Sequence, residues 1–189
     1  MPNYDIVFKV CIFGDGGVGK TTLVNRYITG VFKESTKLTI GVDFYTKHLK
    51  YDDLRILLQI WDFAGEERFR FLLPSYLIGA SGGIFMYDIT RYSSLQNYKD
   101  WISIFKEKFN YIIPLPLLMV GGKSDLLYKR SVLLEDAKRI MNLNHFHDII
   151  ECSAKTGENV EEIFLKTTKM MLIHKNLLKK GYHLKREII

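Results

Sequence analysis

The sequence predicts an α/β doubly wound domain: a mostly parallel six-stranded sheet, one antiparallel edge strand, and helices on both faces. Three observations carry that prediction. Strand-like apolar runs alternate along the chain with helical patterns. The runs are continuously apolar, which suits strands covered on both sides. One pair of runs is joined only by Tyr51-Asp52-Asp53-Leu54, a hairpin-like turn that admits the antiparallel strand.

Taken in order, strands are expected at 8–14, 42–50, 55–63, 82–89, 115–122 and 148–153. Helices are expected at 20–28, 93–109, 133–143 and from Val160 onward. In that last helix Val160, Ile163, Phe164, Thr167 and Met171 share one face, the spacing of a helix lying on a sheet. No repeat, low-complexity linker or second domain interrupts the pattern. One domain is expected over 1–180 and a basic tail over 181–189.

With 189 residues, 47% hydrophobic and 25% charged, the chain has the profile of a soluble globular protein with a full core. No apolar run reaches the roughly 18 residues that a membrane span needs. The N-terminus shows no signal-peptide pattern. Cys11 and Cys152 lie in apolar runs and read as free, buried thiols, so a cytoplasmic protein is expected. The net charge is +6. From Leu165 onward Lys166, Lys169, Lys175, Lys179, Lys180, Lys185 and Arg186 face only Glu187, which leaves the body neutral. A solvated helix face accounts for this excess. Weak attraction to an anionic membrane surface comes second. Nucleic acid is not expected, because no basic–aromatic interleaving appears. His145 and His147 read as surface residues rather than a metal pair.

The chemistry sits at strand ends, where such folds bind ligands. Gly14-Asp15-Gly16-Gly17-Val18-Gly19-Lys20-Thr21 matches GxxxxGK[ST], the P-loop, and Thr22 continues into the helix. Its backbone N–H groups can turn inward on an anion, and the helix N-terminus adds its positive dipole end. This is the mark of a P-loop NTPase. Lys20 is expected to reach the β- and γ-phosphates, and Thr21 to ligate Mg²⁺. Asp15 belongs to the loop, but its side chain is expected to point outward without a role. Asp62 ends the third strand, where an acidic residue beside a P-loop holds Mg²⁺. Gly65, three residues on, can offer its N–H to a γ-phosphate. Two further motifs end the fifth and sixth strands, Gly122-Lys123-Ser124-Asp125 and Ser153-Ala154-Lys155.

These motifs in this order, with Thr39 followed by Ile40-Gly41-Val42-Asp43-Phe44 and with the run Trp61 to Phe69, resemble a Ras-superfamily small GTPase, most closely the Rab group. The resemblance covers nearly the whole chain. It implies a GTP/GDP switch with GTPase activity and a trafficking-type role, acting as a monomer. Asp125 would accept from the guanine N1 and N2 groups, a donor pair that adenine lacks. Lys123 would lie along the base, and the Ala154 N–H, in the loop with Ser153 and Lys155, would donate to O6. Phe32 would set a ring against the base. Thr39 would complete the Mg²⁺ shell, with Thr21 and Asp62, and feel the γ-phosphate. Phe44, Trp61 and Tyr76 fall where Rab-like proteins keep an aromatic triad for effectors, against the plainer reading of ordinary core and surface aromatics.

The chain departs from that pattern in three places. Gly122 stands where the family places Asn, so one or two hydrogen bonds of about 1 kcal/mol each are lost. Guanine preference is expected to survive through Asp125, with weaker affinity or faster exchange. Glu66 stands where the family places the Gln that orients the attacking water. An ionised carboxylate accepts but cannot donate a hydrogen bond, so slow hydrolysis is expected, with cleavage in which Glu66 serves as a base left open. The catalytic set is then Glu66, Lys20, Thr39 and Gly65. No cysteine follows Cys152, so no C-terminal prenyl anchor is expected, and membrane contact would be peripheral, through the basic tail or a partner. Unprenylated Rab-like GTPases also occur in archaea. A scaffold that binds GTP without cleaving it is the alternative that Glu66 leaves open. A P-loop kinase or ATPase is disfavoured by Asp125 and Thr39.

Overall fold

The computed structural model describes residues 4–34, 38–108, 115–144 and 146–175. The 181–189 tail and His145 lie outside the described residues. The elements run β1 (Ile6–Phe13), α1 (Lys20–Thr29), β2 (Val42–Tyr51), β3 (Leu54–Phe63), α2 (Leu73–Tyr76), β4 (Gly82–Asp88), α3 (Tyr92–Gln96), α4 (Tyr98–Lys108), β5 (Leu117–Gly122), α5 (Leu134–Leu143), β6 (Asp148–Cys152) and α6 (Val160–His174). Short 3₁₀ turns cover Glu67–Leu72 and Ser124–Lys129.

The strands form one six-stranded sheet in the order β2-β3-β1-β4-β5-β6. Only the β2–β3 pair is antiparallel; every other pair is parallel. This is the doubly wound architecture with one antiparallel edge that the sequence predicts. β1 lies near the centre, and the chain leaves it on one side toward β3 and on the other toward β4, so ligand chemistry collects at its carboxyl end.

β1 shows why both faces are covered. Phe8, Val10 and Ile12 join a cluster with Leu23, Val24 and Tyr27 of α1 and Ile163 and Phe164 of α6. Cys11 and Phe13 point the other way, into a cluster with Trp101 and Phe105 of α4. Alternating residues thus feed two cores. Tyr27 and Phe164 stack at 3.8 Å and 9°. Burying a ring of this size contributes about 2 kcal/mol, and here it locks α1, which carries Lys20 and Thr21, against α6.

Two local differences from the sequence reading have physical causes. The helix expected over 93–109 is two helices that part at Asn97. Asn97 spends its side-chain amide on Asp15, 2.7 Å away, a tertiary bond that local periodicity does not encode. The stretch after Gly65, for which the sequence predicts no element, winds into the 3₁₀ turn and α2.

Candidate functional site

The carboxyl ends of β1, β3, β5 and β6 surround a cavity of about 480 Å³. Of the residues singled out from sequence, Gly16, Gly17, Val18, Gly19, Lys20, Thr21 and Thr22 line it from the phosphate loop. Phe32, Thr39, Gly65 and Glu66 line a second side, and Lys123, Asp125, Ala154 and Lys155 the far end. Gly14, Asp15, Asp62, Gly122 and Ser153 do not line the cavity itself.

Lys20 begins α1 and is 6% exposed. Its ammonium donates to the carbonyl oxygens of Gly14 at 2.7 Å and Asp15 at 2.8 Å. Burial pulls its pKa down to about 8, against the upward pull of Asp62 and Asp15. A buried cation whose hydrogen bonds among the described residues go to two carbonyls is poised for an anion. The loop N–H groups and the α1 N-terminus favour the same partner.

Three oxygens meet beside it. Thr21 Oγ1 donates to Asp62 Oδ2 at 2.5 Å and lies 2.7 Å from Thr39 Oγ1. Asp62 is fully buried, and its Oδ1 has no hydrogen-bond partner among the described residues. Burial pushes its pKa up to about 6, partly offset by the Thr21 hydrogen bond and the Lys20 charge. A buried carboxylate oxygen without a partner, beside two hydroxyls, is a donor set suited to a hard divalent cation such as Mg²⁺. It supplies too few ligands alone, so phosphate oxygens and water would complete the shell. Among the described residues no group of three or more His, Cys, Asp or Glu side chains is placed to hold a metal.

Gly65 is a glycine because of a close approach. A Cβ there would lie 2.3 Å from the Asp15 carbonyl carbon and from the Gly16 nitrogen. The start of the β3–α2 segment therefore lies directly on the phosphate loop. Glu66 follows at the cavity wall, its carboxylate paired with Arg68 Nε at 2.9 Å.

At the far end Lys123 takes a left-handed conformation, φ 69°, and its ammonium pairs with Asp88 at 2.6 Å. Asp88 also accepts from the Thr90 amide and hydroxyl. Burial raises the Asp88 pKa, but the Lys123 and Thr90 bonds outweigh it and hold the carboxyl below its usual value. Asp125 Oδ1 accepts from Ser153 Oγ at 2.7 Å. Ser153 Oγ in turn accepts from the Thr156 N–H at 3.1 Å. The Ser-Ala-Lys loop of β6 thus orients the carboxylate that follows β5.

The outward role of Asp15 needs correction. Its side chain is not idle: it accepts from Asn97 Nδ2 at 2.7 Å and from Trp101 Nε1 at 2.9 Å. Arg70 lies 3.8 Å from the same carboxylate and stacks over the Trp101 ring at 4.7 Å. Arg91 donates to the Gly16 carbonyl at 2.6 Å. The outer side of the phosphate loop is therefore bolted to α4 and to the segment after Gly65. Sequence gave no signal for these partners, which lie up to 86 residues away in other elements. Sequence reading also missed Met86 and Leu126 in the cavity wall. Leu126 was within reach, one residue beyond Asp125; Met86 reads only as another apolar strand residue.

On the outer face Phe44, Trp61 and Tyr76 touch in series, with ring centroids 5.1 and 5.7 Å apart. Phe44 is 50% and Tyr76 38% exposed. Lys9 covers the far side of Trp61 at 4.1 Å.

The Ras family profile matches residues 9–173. The chain belongs to the Ras family. Within it the chain is 39% identical to mouse Ras-related protein Rab-19 over 93% of its length and 80% of the relative. It is 40% identical to Ras-related protein RABA1c of Arabidopsis thaliana, over 94% of this chain and 80% of that one. It is also 40% identical to GTP-binding protein ypt3 of Schizosaccharomyces pombe, over 85% and 74%. This member of the Ras family is therefore a Rab-like small GTP-binding protein. Among the described residues, no helix is long and apolar enough to cross a membrane.

Proposed function

We propose that this Rab-like protein is a GTP/GDP switch of the trafficking type that hydrolyses GTP slowly, and that Glu66 sets the slow rate. The pairing of Glu66 with Arg68 carries this reading. An ionised carboxylate engaged by a guanidinium has no N–H to offer water or phosphate. It also adds negative charge where charge is already accumulating.

The other roles follow from the chemistry of the cavity. Lys20 and the loop amides hold the β- and γ-phosphate oxygens and stabilise charge that develops there. Mg²⁺, held by Thr21, Thr39 and Asp62, would neutralise phosphate charge. Gly65, fixed against the loop, presents its N–H to the γ-phosphate and senses its loss. Thr39 and the Gly65–Tyr76 segment change arrangement with it, which alters the surface around Phe44, Trp61 and Tyr76 that partner proteins read. Asp125, oriented by Ser153, selects guanine; Lys123, Ala154, Lys155 and Phe32 complete the base end. The basic segment over 181–189 would supply at most weak attraction to anionic lipid.

The test is single-turnover hydrolysis of GTP by the purified protein with Mg²⁺, beside Glu66→Gln and Glu66→Ala. Wild type is expected to form GDP slowly and Glu66→Gln about tenfold faster, since a neutral amide can both donate and accept. Slower cleavage by Glu66→Gln than by wild type would make the carboxylate a working base and overturn the assignment.

A further inference from the structure

Gly122 ends β5 in register with Asp88 of β4. A Cβ built on it would lie 2.5 Å from Met86 Cε and 3.0 Å from the Val18 carbonyl oxygen of the phosphate loop. The same methyl lies 3.5 Å from the Cβ position of Gly19. Met86 is 2% exposed and is part of the cavity wall. One thioether thus fills a slot bounded by β5, the phosphate loop and the cavity. An unbranched, polarizable side chain suits such an irregular gap.

We propose that Met86 is a positioning residue for the nucleotide: its methyl fills the volume left by the missing side chain at Gly122 and braces the loop at Val18 and Gly19. This rests on the guanine-nucleotide reading above. Positions 86 and 122 then act as one unit. A gap in that slot would leave the loop without contacts on one side. A side chain restored at 122 with Met86 still present would drive the methyl toward the cavity, where the nucleotide lies. The glycine is therefore tolerated because the methionine stands beside it, and a change at either position alone loosens the site.

The experiment is a double-mutant cycle on the full chain loaded with N-methylanthraniloyl-GDP, with release followed after a chase of excess GDP. Met86→Val and Gly122→Asn alone are each expected to release nucleotide about tenfold faster than wild type. The double variant is expected to return to within about threefold of wild type or to release more slowly, because contacting positions are not additive. Met86→Leu, which keeps most of the volume, is expected to stay close to wild type. If the two single effects multiply in the double variant, or if Gly122→Asn alone slows release, the proposal is wrong. Equilibrium titration of wild type with GDP separates the two readings: no binding sinks the nucleotide assignment, whereas tight binding with multiplicative rates sinks only the pairing.

Discussion

At one end of the cavity stand Lys20 and Thr21 from the start of α1, Thr39 from the segment before β2 and Asp62 from the end of β3; the two hydroxyls and the carboxylate already touch, and α4 clamps the phosphate loop from outside. At the other end β5 and β6 deliver Lys123 (paired with Asp88), Asp125 (held by Ser153) and the Ser153 loop, which meet the phosphate loop at Met86 and at the Val18 carbonyl. The phosphate end concentrates charge that folding alone does not satisfy: Lys20 is pulled down, Asp62 is pushed up, and one carboxylate oxygen has no hydrogen-bond partner among the described residues. The base end is closer to satisfied without ligand. Affinity should therefore come mainly from the phosphate end, and selectivity and exchange rate from the base end.

Lys20→Ala should have the largest effect, lowering GDP affinity by about a hundredfold or more, because it removes charge-assisted bonds in a buried site. Isothermal titration measures it, and a loss under about tenfold would erase the contrast between the two ends. Asp125→Asn replaces an acceptor by a donor. It should cost about a hundredfold in preference for guanine and favour a purine with a carbonyl at C2, as read by competition between GDP and XDP. Phosphate-end contacts should be unchanged, so XDP should bind the variant nearly as tightly as GDP binds wild type.

Asp15→Ala leaves Asn97 and Trp101 donors unpaired, which should cost about 2 kcal/mol in urea unfolding and speed GDP release several-fold. If stability falls while release is unchanged, the outer clamp supports the fold but not the phosphate end. Ser153→Ala removes one neutral hydrogen bond to Asp125 and should weaken GDP by about threefold. The smallest effect reports local opening. Burial pushes both thiols up to about 12, so neither should react with iodoacetamide in the closed state. Cys11 lies under the phosphate end and Cys152 under the base end, and Cys152 should label first once nucleotide is removed. Equal labelling rates would mean the two ends open together.

The sequence alone determined the order of the strands, the phosphate loop, and which strand ends carry Lys20, Thr21, Asp62, Asp125 and the Ser153 loop. These are local matters: residue spacing fixes the strand–loop–helix turn, and apolar continuity marks the covered strands. The sequence also marked the substitutions at Gly122 and Glu66. It left unseen what stands beside them, because those contacts join residues far apart in the chain. Met86 reaches Gly122 only because β4 pairs with β5 in one register. Asp15 finds Trp101 only because α4 lies across the carboxyl end of β1. Strand register and the seating of helices on the sheet are settled by packing of the whole core, and only the tertiary structure decided that a missing side chain at 122 leaves no gap.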